Sequence, residues 1–193
     1  MKKIFSRIVI CSALCALASC GGTQEQELVD YVNNRIGNIS HLLVPTYPTS
    51  HLPNSMLRMN PDHNEFTTDR MGGIHINVPS HRQGDVTLMK PFCGDESVVD
   101  ADFRYRYDHE KTSPERYSVY LDDFSIAVDY APAEHSAIMS CTYEQAGNRF
   151  VMLKSRGKGE LFAEGNRMWG YDTYYDTKNK AESTYNKGQA KAM

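Results

Sequence analysis

The chain has 193 residues, 40% hydrophobic and 10% aromatic, with 21 basic against 24 acidic side chains and a formal net charge of −3. That length suits one domain with a buried core, with room for short tails but not for several domains. The near-balanced charge, with no basic stripe, argues against nucleic acid as a partner.

The opening residues read as an address. Lys2, Lys3 and Arg7 precede an apolar run from Ile8 to Leu17 that ends in small residues, the pattern of a secretory signal peptide. The run is too short for a spanning helix, which needs roughly 20 apolar residues. Leu17-Ala18-Ser19-Cys20 resembles a bacterial lipobox cut before Cys20. Residues 1–19 are therefore expected to be a lipoprotein signal peptide, and residues 20–27 a lipidated Cys20 with a polar tether. This predicts a lipid-anchored protein of the bacterial cell envelope, at the outer membrane on its periplasmic or surface face. A plain signal peptide with an incidental Cys20 is the alternative. With Cys11 and Cys15 in the leader and Cys20 lipidated, Cys93 and Cys141 remain. An oxidising compartment permits a disulfide between them, and two separate buried thiols are the other option.

Leu28 to Arg35 suits either a short helix or an entering strand. His41 to Asp62 is punctuated by Pro45, Pro48, Pro53 and Pro61, which excludes helix and predicts an ordered irregular loop. Ile74, Ile76 and Val78 alternate with other residues, as do Val86, Leu88 and Lys90, giving two strands. Phe103, Tyr105 and Tyr107 alternate with Arg104, Arg106 and Asp108, the period of a half-buried strand. His109 to Pro114 reads as a turn with solvated charges. Tyr117, Val119 and Leu121 then take one face, and Phe124, Ile126 and Val128 continue it after a phase shift at Asp122-Asp123. That shift predicts a two-residue hairpin loop with Leu121 opposite Phe124. Ala137, Met139, Cys141 and Tyr143 form a further strand, and Phe150 to Leu153 another. The expectation is all-β: an antiparallel β-sandwich over residues 28–177. Residues 178–193 are polar and predicted to be disordered.

Three passages resemble glycoside hydrolase family 92, a family of exo-acting α-mannosidases. Tyr31-Val32-Asn33-Asn34-Arg35-Ile36-Gly37-Asn38 is similar to the family's Val-Asn-Pro-Phe-Ile-Gly-Thr opening. The stretch from Pro48 to Asp62 resembles its Pro-Gly-Ala-Thr-x-Pro-Phe-Gly-Met-x-x-x-x-Pro-Asp block, with Thr49 and Ser55 in place of two glycines. The stretch from His109 to Leu121 resembles His-x-x-Glu-x-(Ala/Ser)-x-Pro-Gly-Tyr-Tyr-x-Val-x-Leu, with Glu115 and Arg116 in place of Gly-Tyr. The resemblance implies a divergent, truncated N-terminal domain, a supersandwich-like fold, and mannose-containing glycans as the substrate class. It also implies that the acid and base, and most ligands of a calcium ion, belong to a C-terminal helical catalytic domain missing from this sequence. No catalytic residue and no cofactor is assigned to the chain itself.

Inverting glycoside hydrolysis needs two carboxyl groups roughly 6.5–9.5 Å apart. Asp122 and Asp123, adjacent at a hairpin tip, do not form such a pair. The sequence has no Cys-x-x-Cys, no His-Glu-x-x-His and no Asp-rich calcium loop, and His75 and His81 are too loosely spaced for a zinc pair. The candidate carbohydrate-binding residues are Tyr47, His51 and Asn54 on the Pro-rich loop, His81 in Ser80-His81-Arg82-Gln83-Gly84, and Trp169. His51 and Asn54 offer directional hydrogen bonds to sugar hydroxyls. Trp169 suits stacking on a pyranose or a place in the core. Three functions compete: the sandwich of a family 92-like mannosidase, a free-standing carbohydrate-binding lipoprotein without catalysis, and an envelope structural or partner-docking domain.

Overall fold

The computed structural model describes residues 27–39, 42, 46–63, 69–76, 87–100, 102–155, 159–176 and 181–191. The leader, Cys20, His81, Val78 and Val86 lie outside these described residues. The chain divides into two compact units, Met1–Tyr31 and Val32–Met193. In the first, Leu28–Tyr31 is a single 3-10 turn whose Asp30 carboxylate accepts from the Glu27 amide at 3.0 Å.

The second unit is built from antiparallel strands, joined by 3-10 turns at Glu96–Asp100 and Asp122–Phe124. A four-stranded sheet contains β1 (Asn60–Pro61), β3 (Ile74–His75), β4 (Leu88–Cys93) and β9 (Arg149–Lys154), in that order. A five-stranded sheet follows the order β2 (Arg70–Met71), β5 (Tyr105–Thr112), β6 (Tyr117–Leu121), β7 (Ile126–Pro132) and β8 (Ala137–Tyr143). Met59, Ile74 and Met89 share one hydrophobic core with Tyr105, Tyr117, Val119, Leu121, Ile126, Val128 and Tyr130. The two sheets thus face each other as a sandwich. Inner residues meet in register across β6 and β7, as Tyr117 with Tyr130, Val119 with Val128 and Leu121 with Ile126. Such same-face pairs are the stabilising unit of a sheet.

The hairpin between β6 and β7 is longer than the alternation predicts. Leu121 pairs with Ile126, not Phe124, and the loop is Asp122–Ser125. Two contacts hold it there. The Asp123 carboxylate accepts from the Arg106 amide and Nε, both at 2.8 Å. The Phe124 ring packs edge-on against Phe103 and Tyr105, at 5.4 and 5.8 Å between centroids. The left-handed position falls on Ser125 (φ 50°) instead of on either aspartate.

The turn placed at His109–Pro114 is also corrected. Strand β5 continues to Thr112, and the reversal is at Ser113–Arg116, where the Ser113 amide donates to the Arg116 carbonyl at 2.8 Å. Between Asp108, opposite Tyr120, and Lys111, opposite Ser118, β5 holds one residue more than β6. This is a β-bulge with His109 in the left-handed region at φ 52°. It breaks the period-2 pattern in the sequence, which is why the alternation there looks like a strand end.

A three-stranded sheet of β10 (Glu160–Glu164), β11 (Arg167–Asp176) and β12 (Ala181–Lys191) follows. Residues 181–191 belong to the stretch whose composition predicts disorder, yet their backbone pairs with β11 from Asp176 opposite Ala181 to Arg167 opposite Lys191. Main-chain hydrogen bonding to a neighbouring strand does not require apolar side chains, so composition carried no signal for it.

Candidate functional site

The bulge decides which side chain enters the core. Strict alternation from Tyr105 and Tyr107 would turn His109 inward and Glu110 outward. The extra residue reverses this. The His109 side chain is 81% exposed and that of Glu110 only 3%.

Buried Glu110 collects three donors. Its Oε1 accepts from His63 Nε2 at 2.5 Å and from the Tyr117 hydroxyl at 2.9 Å. Its Oε2 accepts from Arg35 Nη2 at 2.7 Å, and Arg35 also reaches the Glu110 carbonyl at 3.2 Å. His63 stacks on Tyr107 with centroids 5.0 Å apart. Burial pushes the Glu110 carboxyl up, but the His63 hydrogen bond and charge, the Tyr117 hydroxyl and Arg35 outweigh it, so the group sits below the usual glutamate range. Burial and the adjacent carboxylate hold the Tyr117 phenol well above its ordinary value. An ionised carboxylate saturated by three donors has no proton to give, so Glu110 does not suit the role of general acid. What the cluster does is fasten four separate stretches of chain to one another.

A second polar group lies on β1 and β3. Asn60 stands opposite His75, so their side chains share a face. Asp62 Oδ1 is 3.5 Å from His75 Nε2, an electrostatic contact rather than a hydrogen bond. Asp62 is held opposite two glycines, with its amide donating to the Gly73 carbonyl and its carbonyl accepting from the Gly72 amide, both at 2.8 Å. A Cβ on Gly73 would meet the Met89 carbonyl at 2.8 Å, and φ there is +147°. Nearby, Lys90 in β4 is 2% exposed, with Nζ donating to the Phe103 carbonyl and lying 3.9 Å from the Phe103 ring centroid. Burial lowers its pKa, with Asp102 acting in the opposite sense.

Among the residues expected to contact sugar, Tyr47, His51 and Asn54 stand on one clamped loop. Ser50 pairs with Met59 as an isolated bridge, and its hydroxyl reaches the Ser113 carbonyl at 2.7 Å, at the β5–β6 turn. Asn34 Nδ2 donates to the Thr49 carbonyl at 2.7 Å. At the far end the Met56 amide donates to the Glu134 carbonyl at 2.9 Å, and the Ser55 hydroxyl reaches the Ala133 carbonyl at 3.2 Å, at the β7–β8 turn. His51 Nε2 donates to the Ser55 carbonyl at 3.0 Å, which leaves Nδ1 as the acceptor of the ring. Asn54 is exposed at φ 62° and Tyr47 is half-buried. Residues 46–59 are irregular apart from the Ser50–Met59 bridge, as Pro48 and Pro53 predict, whereas Asn60–Pro61 forms β1 and Pro45 lies outside the described residues.

Trp169 is elsewhere, half-buried in β11 and stacked on its cross-strand partner Phe162 at 6.1 Å. Cys93 and Cys141 are free thiols; Cys93 Sγ contacts the Phe124 carbonyl at 3.5 Å. The reading of His109-Glu110 as a solvated pair holds for His109 and fails for Glu110. Arg35, His63, Glu110 and Tyr117 were not singled out from the sequence. The signal was present: the passage beginning His-x-x-Glu places its glutamate four residues before the proline, and Glu110 stands four before Pro114. Among the described residues no three His, Cys, Asp or Glu side chains come together in a way that would hold a metal ion.

No curated protein matches the chain. Among solved structures, it is similar to a family GH92 alpha-mannosidase from Bacteroides thetaiotaomicron, with a TM-score of 0.61 and 21% identity over 77% of this chain and 24% of that one. The same enzyme in complex with mannoimidazole gives the same TM-score and identity. An inverting family GH92 mannosidase from the same organism matches with a TM-score of 0.63 at 20% identity, over 77% of this chain and 23% of that one. The chain thus spans about a quarter of the length of the mannosidases it resembles. The model of the glycosyl hydrolase family 92 N-terminal domain matches residues 31–190. With that match covering most of its length, the chain belongs to the glycosyl hydrolase family 92 N-terminal domain family.

Proposed function

We propose that this chain is the sandwich of a mannosidase-type glycan-degrading protein, shaping a mannose site whose acid and base stand on a separate helical domain. The observation that carries this reading is the family match over residues 31–190. The neighbouring enzymes support it, since one of them is a mannosidase in complex with mannoimidazole. The clamped loop supplies the polar groups such a site requires: the His51 ring, the Asn54 amide in its left-handed turn, and the Tyr47 ring as a wall. Catalysis is assigned elsewhere because the Glu110 carboxylate is engaged by three donors and Asp123 by Arg106. A lipid on Cys20 would hold the domain at the cell envelope, where mannose-containing glycans are captured.

The test has two arms. The purified chain is incubated with an aryl α-mannoside, and no mannose release above buffer is expected. Amide NMR shifts are then followed during titration with mannose. Shifts centred on residues 47–54, weakened in His51→Ala and Asn54→Ala, support the reading. Mannose release by the chain alone, or shifts confined to other regions, would overturn it.

A further inference from the structure

Residues 32–39 are inverted in polarity. Three polar side chains of this segment are the ones turned into the protein: Asn34 onto the Thr49 carbonyl, Arg35 onto Glu110, and Asn38, which is 1% exposed. The aliphatic side chains around them point out, with Val32 50%, Ile36 77% and Ile39 61% exposed. Leu42 just beyond is 95% exposed. Scattered single apolar residues on a surface are ordinary, but a run set beside an inward ion pair from Arg35, an inward hydrogen bond from Asn34 and a buried Asn38 is not. Releasing Ile36 to turn inward would strip Arg35 from a buried carboxylate, so the Glu110 cluster holds Ile36 outward.

We propose that this outward aliphatic strip, Val32, Ile36, Ile39 and Leu42, is a membrane-contact surface that rests on the lipid bilayer. The occupant follows from chain length. Cys20 lies twelve residues before Val32, and twelve extended residues span at most ~40 Å. A lipid on Cys20 therefore keeps the strip within reach of a bilayer at all times, a high effective concentration for an otherwise weak contact. Apolar side chains on a polar-backed segment bury into the boundary between headgroups and acyl chains. A diacylglycerol on Cys20 would anchor the chain by itself. The strip would add a second point of contact and so fix the orientation of the sandwich on the membrane. This inference rests on the proposed lipid anchor for proximity, but the strip is tested without it.

Residues 20–193 carrying Cys20→Ser, which retain the whole family-matched domain, are floated with phosphatidylethanolamine–phosphatidylglycerol vesicles. Weak partition is expected, falling about tenfold or more in Val32→Ser/Ile36→Ser/Ile39→Ser. Should the triple variant fail to fold, hydrogen exchange on the unsubstituted chain decides: amides 32–39 are expected to slow on adding vesicles. Equal partition of the two proteins, or no change in exchange at 32–39, would overturn the proposal. Concentration-dependent dimerisation lost in the triple variant, without vesicle binding, would overturn it in favour of a second copy. Metabolic labelling with palmitate reads the anchor separately. An unlabelled Cys20 removes the anchor and leaves the vesicle result to decide the strip.

Discussion

Glu110 and His63 are 47 residues apart in sequence and meet through a 2.5 Å contact between Oε1 and Nε2, with both side chains almost wholly buried. Their meeting joins the end of the Pro-rich stretch to the bulge of β5. Removing one member of such a set leaves the others buried and uncompensated. Glu110→Ala is expected to cost about 3–5 kcal/mol. Urea unfolding followed by circular dichroism checks this, and a loss below about 1 kcal/mol would show the cluster to be peripheral.

The same carboxylate sets an acid limb of stability. Its folded pKa is depressed below the ordinary glutamate value of 4.5. Its contribution is therefore complete above about pH 4.5, the unfolded value, and is lost as pH falls through the lower folded value. The difference in unfolding free energy between the parent chain and Glu110→Gln should be constant from pH 7 to 5 and shrink below that. A difference that stays level down to pH 2 would contradict the depressed pKa.

Lys90 has the opposite dependence. Burial lowers its folded pKa below the ordinary 10.5, so the unfolded chain binds the extra proton in the interval between the two values. The penalty of its charge is complete below the folded pKa and is relieved as pH rises through it towards 10.5. Lys90→Met should be neutral or stabilising at pH 7, and its advantage should narrow in alkali. Stability curves of the two proteins between pH 7 and 10.5 test the sign.

The bulge has its own signature. His109 holds φ 52° while its side chain is exposed, and an L-residue in that region costs roughly 1–2 kcal/mol. His109→Gly should stabilise by about 0.5–1 kcal/mol once the added freedom of the unfolded chain is subtracted. His109→Val should destabilise, since a β-branched residue resists that backbone. If both shift the urea midpoint in the same direction, His109 does not hold the left-handed position.

Cys20→Ser should abolish incorporation of labelled palmitate and move the protein from the membrane to the soluble fraction. Retained label would place the acyl group on another residue.

How much of this was legible in the sequence depends on the kind of signal. The β6–β7 pair was readable because its inner residues keep a strict period of two and end at a phase shift; only the loop length was misjudged, since Phe124 and Asp123 are held by residues distant in sequence. The clamped loop was readable from Pro48 and Pro53, while Pro61 pairs in β1. Glu110 was hidden because a bulge inserts a step of three into a period of two, and the result resembles a strand end followed by charges. The alternation of Val86, Leu88 and Lys90 indicates a strand but not its burial, and every residue of β4 is buried. Burial on both faces depends on what packs above and below, which local alternation does not encode. Tyr47, His51 and Asn54 were found together because they share a loop, while Arg35, His63 and Tyr117 converge only in three dimensions.

The Pro-rich loop is sewn to two different hairpin ends, by Ser50 at one and by Ser55 and Met56 at the other. A strip fastened at both margins cannot swing as a cover over an arriving sugar. The sugar recognition proposed there would be lock-and-key, with the ordering cost met when the polypeptide folds. On that proposal, weakening either seam would blunt selectivity between sugar epimers before it cost affinity for sugars in general.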